Sequence, residues 1–349
     1  MTRPTRTQAI IAGAVAVVLV ASVAAVALTG GHHANKAAST TTTSTRASTT
    51  TTTAPKPRGV IAPLTGLRDP TSGSAHRPAL TVKVENDRNA RPQMGLDQAD
   101  DIYEEVVEGE ITRLLAVFQS HVPPVVGPIR SVRKTDQSVV TPLGGVFVYS
   151  GGAAYAIASI RTAPVTLVDE TRAGSAMYRD SSRRKPYNLF GHPAALFAFG
   201  GTPVPPHPLF TYRVAGQPVP GVPVTHVNVG FGAGFAVSYE WDAAHQAWDR
   251  SIFGHTDLLA SGVQEAPRNV VVMFVHYTGG VGIIGAEADL VGSGDAIVFT
   301  AGHEITGRWV RPDRARPAQF VDTAGAAVRL TPGQTWVELA PTGTPVTAS

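Results

Sequence analysis

Acids and arginines recur at close spacing between Asn86 and Arg133, and any chemistry the chain performs must be assembled from residues of this kind. Glu104 and Glu108 are carboxylates with acid/base potential, and Arg91, Arg113, Arg130 and Arg133 are cations able to hold an anionic group. The stretch Asp100–Ser120 reads as a β-hairpin turning at Glu108-Gly109. A two-residue loop at 108–109 sets Glu104 opposite Arg113, between the apolar pairs Val106/Ile111 and Ile102/Leu115. The two charges then share a mostly apolar face, as a fold-holding ion pair or as a ligand-facing one. Acids crowd the run from Asp97 to Glu110, which is expected to be mostly a solvated face. Arg130 and Arg133 flank Ser131 at the start of an expected helix that stops near Pro142, where their charge opposes the helix dipole. They call for an acidic partner, either the 97–110 run or an external anion.

Gly145–Ser150 reads as a strand entering Ser150-Gly151-Gly152, with a helix following from Ala153; that is the small-residue turn of an anion-binding nest. Ser150 is a nucleophile there only with a base beside it, and the G-x-S-x-G elbow is absent. Arg179, in the basic loop Tyr178–Pro186, completes the ligand-binding candidates together with Asn86 and Asn188. No catalytic residue is assigned. Histidines show neither H-x-x-x-H nor H-x-H spacing and cysteine is absent, so no metal site and no cofactor is expected.

The elements that must position these residues are α+β in class. An α/β N-terminal domain with a mixed sheet starts from the alternating strand Ala79–Glu85. A β-rich antiparallel C-terminal domain is expected from strands at Val224–Gly230, Phe235–Trp241, Ala247–Ile252, Val270–Tyr277, Asp295–Thr300, His303–Val310 and Thr335–Leu339. Trp241, Trp248, Trp309 and Trp336 read as core or, alternatively, as a sugar-binding platform.

Ahead of these domains, residues 9–28 carry no charge and match the thickness of a bilayer core, with Arg3 and Arg6 before them and no acid before Asp69. The expectation is a 1–8 cytoplasmic tail and a 9–28 transmembrane helix or signal peptide. The globular part then lies outside the cytoplasm, either held by a single pass or secreted after cleavage near Ala27. A Thr/Ser-rich disordered linker follows at 29–59. The N-terminal domain spans 60–205, a Pro-rich linker 206–223, the C-terminal domain 224–340 and a disordered tail 341–349. The first 58 residues hold six basic residues and no acid; the remainder carries 23 basic and 26 acidic residues, a net of −3, so nothing global points to nucleic acid.

Spaced motifs run through both domains: Pro63–Leu67, Ala90-Arg91-Pro92-Gln93, Tyr103-Glu104, Ile111-Thr112-Arg113, Gly127-Pro128 with Arg130-Ser131 and Arg133, Tyr178-Arg179-Asp180, Gly292-Ser293-Gly294 and Pro332–Trp336. Over roughly 63–340 the chain resembles the YerB-like family, proteins assigned as bacterial envelope lipoproteins with a two-part domain of unknown function. The resemblance implies an envelope location and brings no activity with it. This chain departs from the pattern in lacking the lipobox cysteine, and Tyr187 stands where the family pattern suggests His before Asn188. The reading that follows is a binding module for a cell-envelope polymer, an anionic ligand or an envelope protein. The alternative is a cell-wall-directed hydrolase or transferase with a Glu acid/base and an Arg-lined pocket.

Overall fold

The structure, a computed structural model, describes residues 58–349 except 202, 233 and 234. The expected segment at 9–28 and nearly all of the 29–59 linker lie outside the described residues. Among the described residues no helix is long and apolar enough to cross a membrane.

The N-terminal half contains strands β1 (Leu80–Glu85), β2 (Asp101–Val106), β3 (Thr112–Phe118), β4 (Val146–Val148) and β5 (Thr166–Val168). Short helices α1 (Asp136–Val140), α2 (Ala154–Ile160), α3 (Glu170–Ala173) and α4 (Pro193–Phe197) join them, and a small hairpin pairs β6 (Met177–Arg179) with β7 (Leu189–Gly191). The C-terminal half holds β8 (His226–Gly232), β9 (Phe235–Asp242), β10 (Ala247–Ile252), β11 (Asn269–Val275), β12 (Gly292–Thr300), β13 (His303–Arg311), β14 (Gln319–Asp322), β15 (Thr335–Pro341) and β16 (Val346–Ala348). The fold is mostly β with few helices. The N-terminal half is a mixed sheet, and the C-terminal half is predominantly antiparallel, as the strand pattern implies.

One eleven-stranded sheet runs through both halves: nine strands follow the order β13-β12-β11-β15-β2-β3-β1-β4-β5, and Val222–Pro223 and β14 both pair with β13. The seam is parallel: β15 lies beside β2, with Trp336 opposite Ile102 and Glu338 opposite Glu104. A second, five-stranded antiparallel sheet built on β16-β8-β9-β10 is entirely C-terminal. Residues 341–349, expected as a disordered tail, are ordered; Val346–Ala348 pair with β8, because β8 would otherwise expose an unpaired edge. The Pro-rich 206–223 segment is also more than a spacer, since Leu209 and Phe210 are buried and Val222–Pro223 pair with β13.

Because the central strands are covered on both sides, their polar residues are buried as fully as their apolar ones. Val82, Val84, Leu114, Ala116 and Trp336 pack on one face with α4 and Leu96, while Leu115, Val117, Phe147 and Val337 pack on the other with α1 and α2. Four members of the acidic run (Asp100, Asp101, Glu104 and Glu105) are buried, contrary to a solvated face, because β2 is interior to the sheet. Trp248, Trp309 and Trp336 are core residues, 0%, 2% and 0% exposed, so they form no sugar-binding platform.

The hairpin register differs by one residue from the two-residue turn. Glu105 pairs with Arg113, Glu104 with Leu114 and Val106 with Thr112. Glu108–Glu110 form a 3-10 turn in which Gly109 and Glu110 both take positive φ, 78° and 56°, so the loop is longer than the sequence suggests. A slip of one residue moves a side chain to the opposite face, so Glu104 and Arg113 lie on opposite sides of the sheet.

Candidate functional site

On the Arg113 face, cross-strand pairing lines up Glu105, Arg113 and Glu85. Segment 129–132 closes over them: the Arg130 amide donates to the Lys83 carbonyl, the Ser150 amide to the Arg130 carbonyl and the Val132 amide to the Gly151 carbonyl, each at 2.9 Å. Arg130 ion-pairs with Glu85, which also lies 3.4 Å from Arg113, and Arg133 pairs with Glu108, its Nε donating at 2.7 Å. The Ser131 carbonyl accepts from Arg133 at 3.2 Å and from Arg113 at 3.4 Å. Arg113, Arg130, Ser131, Arg133 and Ser150 are therefore brought together, but each guanidinium already has a carboxylate. Beneath them Lys83 pairs with both Glu105 and Asp136, all three buried. Burial, with Glu105 beside it and Lys83 opposing, pushes the Asp136 carboxyl up to about 7. One ammonium does not fully neutralise two buried carboxylates, so Asp136 gives up its proton only near neutral pH.

On the opposite face, Glu104 accepts from Asn86 Nδ2 at 3.0 Å and the Thr112 hydroxyl at 2.6 Å on one oxygen. Its other oxygen accepts from Arg250 Nη2 at 2.6 Å and Trp336 Nε1 at 3.2 Å. Arg250, fully buried on β10, also pairs with Asp257 and lies 4.3 Å over the Trp336 ring. Burial opposes its charge, but Glu104, Tyr239 and Asp257 outweigh it and raise its pKa well above the usual value. Glu338 accepts from the Tyr239 hydroxyl, and burial together with Glu104 raises its carboxyl far above the ordinary range, so it is neutral. The Glu265 carboxyl, buried with neither oxygen hydrogen-bonded among the described residues, is raised likewise, by burial first and then by Asp257. Sequence reasoning missed Arg250, Asp257, Glu265 and Glu338. Their signal was a charge inside a strand-like run, as in Trp336-Val337-Glu338-Leu339.

Arg91 connects this interior to the surface. It ion-pairs with Asp257, donates to Asn86 Oδ1 at 2.5 Å, and is 16% exposed at the wall of a cleft of 360 Å³ between the halves. Burial lowers its pKa, with Asp257 acting against that. Arg88, Phe253, His255 and Leu258 also line the cleft. The Arg88 guanidinium sits 4.2 Å from the centroid of the Phe253 ring and makes no ion pair among the described residues. Phe253-Gly254 form the two-residue loop between Ile252 and His255, both at positive φ, 56° and 75°. Such a loop favours Asn-Gly, and a bulky side chain there is strained.

Arg179 and Asn188 lie apart from both networks, on β6 and just before β7. Arg179 pairs with Glu170 and donates to Asn188 Oδ1 at 2.9 Å. The sheet itself separates Glu104 from Arg113 and Arg130, so the acid/base and the arginines do not form one site.

Two halves sharing a sheet, with a buried ionic junction and a surface cleft above it, make up a two-part domain. Residues 64–201 match the family "Protein of unknown function (DUF3048) N-terminal domain" and residues 227–337 match its C-terminal domain. The chain belongs to this YerB-like family, carrying both of its domains. A protein of Bacillus subtilis (strain 168), "Putative lipoprotein YerB", is 28% identical over 294 residues, covering 80% of this chain and 86% of the relative. The crystal structure of YerB from Bacillus subtilis superposes with a TM-score of 0.71 at 26% identity, covering 82% of this chain and 99% of the other.

Proposed function

We propose that this chain is a non-catalytic, extracytoplasmic binding module that grips an anionic polymer of the cell envelope in the cleft at Arg88, Arg91 and Phe253. The observation that carries the reading is Phe253, held at positive φ where its ring meets an exposed, unpaired Arg88. Backbone strain of this kind persists where the surroundings impose it and clusters at ligand clamps. A cation on an aromatic face beside a cleft suits a sugar ring bearing phosphate or carboxylate. A junction between two halves is also a frequent place for a ligand.

The hydrolase or transferase reading loses ground on geometry. Glu104 is fully buried with both oxygens satisfied, so it reaches no substrate, and Glu108 is held by Arg133 and Arg113. The uncharged 9–28 segment, and a relative named as a lipoprotein, support a body tethered to the outer side of the membrane. A C-terminal reporter active only in the cytoplasm would contradict that placement.

The test is co-sedimentation with purified insoluble envelope polymer. Phe253→Asn installs the residue the turn prefers, which offsets the lost edge contact with Phe235, so the fold should persist in a melting curve while binding weakens by about tenfold or more. Unchanged binding in Phe253→Asn and in Arg88→Ala would remove the cleft from the account.

A further inference from the structure

On the sheet face opposite the cleft, Arg311 is a buried charge with no carboxylate in ion-pair contact among the described residues. It ends β13 and is 4% exposed. Its Nε donates to the Arg316 carbonyl at 2.7 Å, and Nη2 donates to the carbonyls of Ser138 and Arg314 at 2.6 and 2.7 Å. Carbonyl oxygens satisfy N–H groups but carry no net charge, so the guanidinium is desolvated without being neutralised. Arg250, equally buried, has two carboxylates. Asp313, the acid nearest in sequence, is spent on its own turn, accepting from the Ala315 and Arg316 amides at 2.9 and 3.1 Å. Nη1 of Arg311 has no hydrogen-bond partner among the described residues. Burial lowers the pKa of Arg311, with Asp313 acting against that from outside ion-pair distance, as expected for a cation whose charge is incompletely met.

The space around Arg311 is apolar. With Tyr103 it lines a narrow cavity of 20 Å³ walled by Val139, Met273, Leu290 and Val337, room for about one water. Leu209, Phe210, Ala318 and Phe320 line both this cavity and a second of 330 Å³ lying between the 208–211 segment and β14. The second volume is at the lower end of the range of small-molecule sites, about 300–1,000 Å³. Phe210 and Phe320, with ring centroids 5.9 Å apart, belong to the shared wall.

We infer that this paired cavity binds an apolar molecule ending in a carboxylate, a fatty-acid-like amphiphile whose head meets Arg311 Nη1 and whose chain lies under residues 208–211. The inner cavity by itself holds about one water, so the carboxylate enters it only as the ring wall between the two spaces opens, and a bulkier phosphate has no room there. The outer cavity and its aromatic wall supply apolar surface for the chain. The Phe210 and Phe320 rings turn aside to join the two spaces. Neutralising a desolvated guanidinium gives the charged head an advantage that a neutral alcohol of the same length lacks.

Lys56–Ser349 forms one compact unit, and its binding of decanoate and of decanol is compared by isothermal titration calorimetry. Decanoate is expected to bind saturably at one per chain, and decanol at least about tenfold more weakly. Arg311→Gln reduces decanoate to the decanol level. Ala318→Trp fills the shared wall and abolishes binding of both while the melting temperature stays near that of the parent. The inference is overturned if decanoate does not saturate, if decanol binds as tightly, or if Ala318→Trp retains full affinity. Should Arg311→Gln fail to fold, the comparison of the two ligands and the Ala318→Trp variant decide the matter.

Discussion

Arg250 is held by Glu104 from the N-terminal half and by Asp257 from its own, and each of the three side chains is at most 2% exposed. Arg250→Met leaves the buried Glu104 carboxylate without its cation and Asp257 with Arg91 alone, and breaking a buried pair in this way costs about 3–5 kcal/mol. Urea unfolding should show that loss. Glu338→Gln replaces an acid that is already neutral, so its cost should stay below about 1 kcal/mol. A large loss in Glu338→Gln would mean that the side chain is ionised in the fold. Asp136 supplies the pH dependence. Its carboxyl rises from the ordinary 3.8 to about 7, so across that window the folded chain holds a proton the unfolded chain has released. Stability therefore falls as pH rises from about 4 to about 7, by up to about 1.4 kcal/mol per unit. Unfolding curves between about pH 4.5 and 7.5 should show this slope, and Asp136→Asn should flatten it. Among the candidate residues, Arg91 and Asn86 reach the junction and Arg130, Ser131 and Arg133 share a cluster, which spacing alone suggested. Arg250 and Asp257 stayed hidden because their partners Glu104 and Arg91 are more than a hundred residues away and nothing local marks the pairing.

Strand identity was legible wherever side chains alternate or β-branched residues crowd together; Ala247–Ile252 and the start of β15 fall where the pattern puts them. Register was not. Glu108-Gly109 resembles a two-residue turn, but Glu110 also adopts positive φ, and that extra residue sets Arg113 opposite Glu105 and so on the face away from Glu104. Sheet joining was equally illegible, since the parallel contact of β15 with β2 depends on residues far apart in the chain. Gly307 marks a close approach of strands: a Cβ there would stand 2.0 Å from the Val321 carbonyl oxygen. Gly307→Ala should detach β14 from β13, seen as faster hydrogen exchange at the amides of residues 319–322. Gly109→Ala meets nothing within 4 Å and only the positive-φ penalty, about 1 kcal/mol, so exchange in β2 and β3 should hardly change.

At the scale of the whole molecule, the eleven-stranded sheet and the Glu104–Arg250 contact make the two family domains one body. Calorimetry should accordingly record a single unfolding transition for Lys56–Ser349, with two resolved transitions as the contrary result. This arrangement also places the Arg88–Phe253 cleft where the halves meet, so that a ligand there touches both. Amide chemical-shift mapping tests that placement most directly, with Lys56–Ser349 titrated with a soluble fragment of anionic envelope polymer. The account predicts saturable shifts concentrated at Arg88, Arg91, Phe253 and His255; shifts centred instead on Ser150–Ala153, or none that saturate, would contradict it.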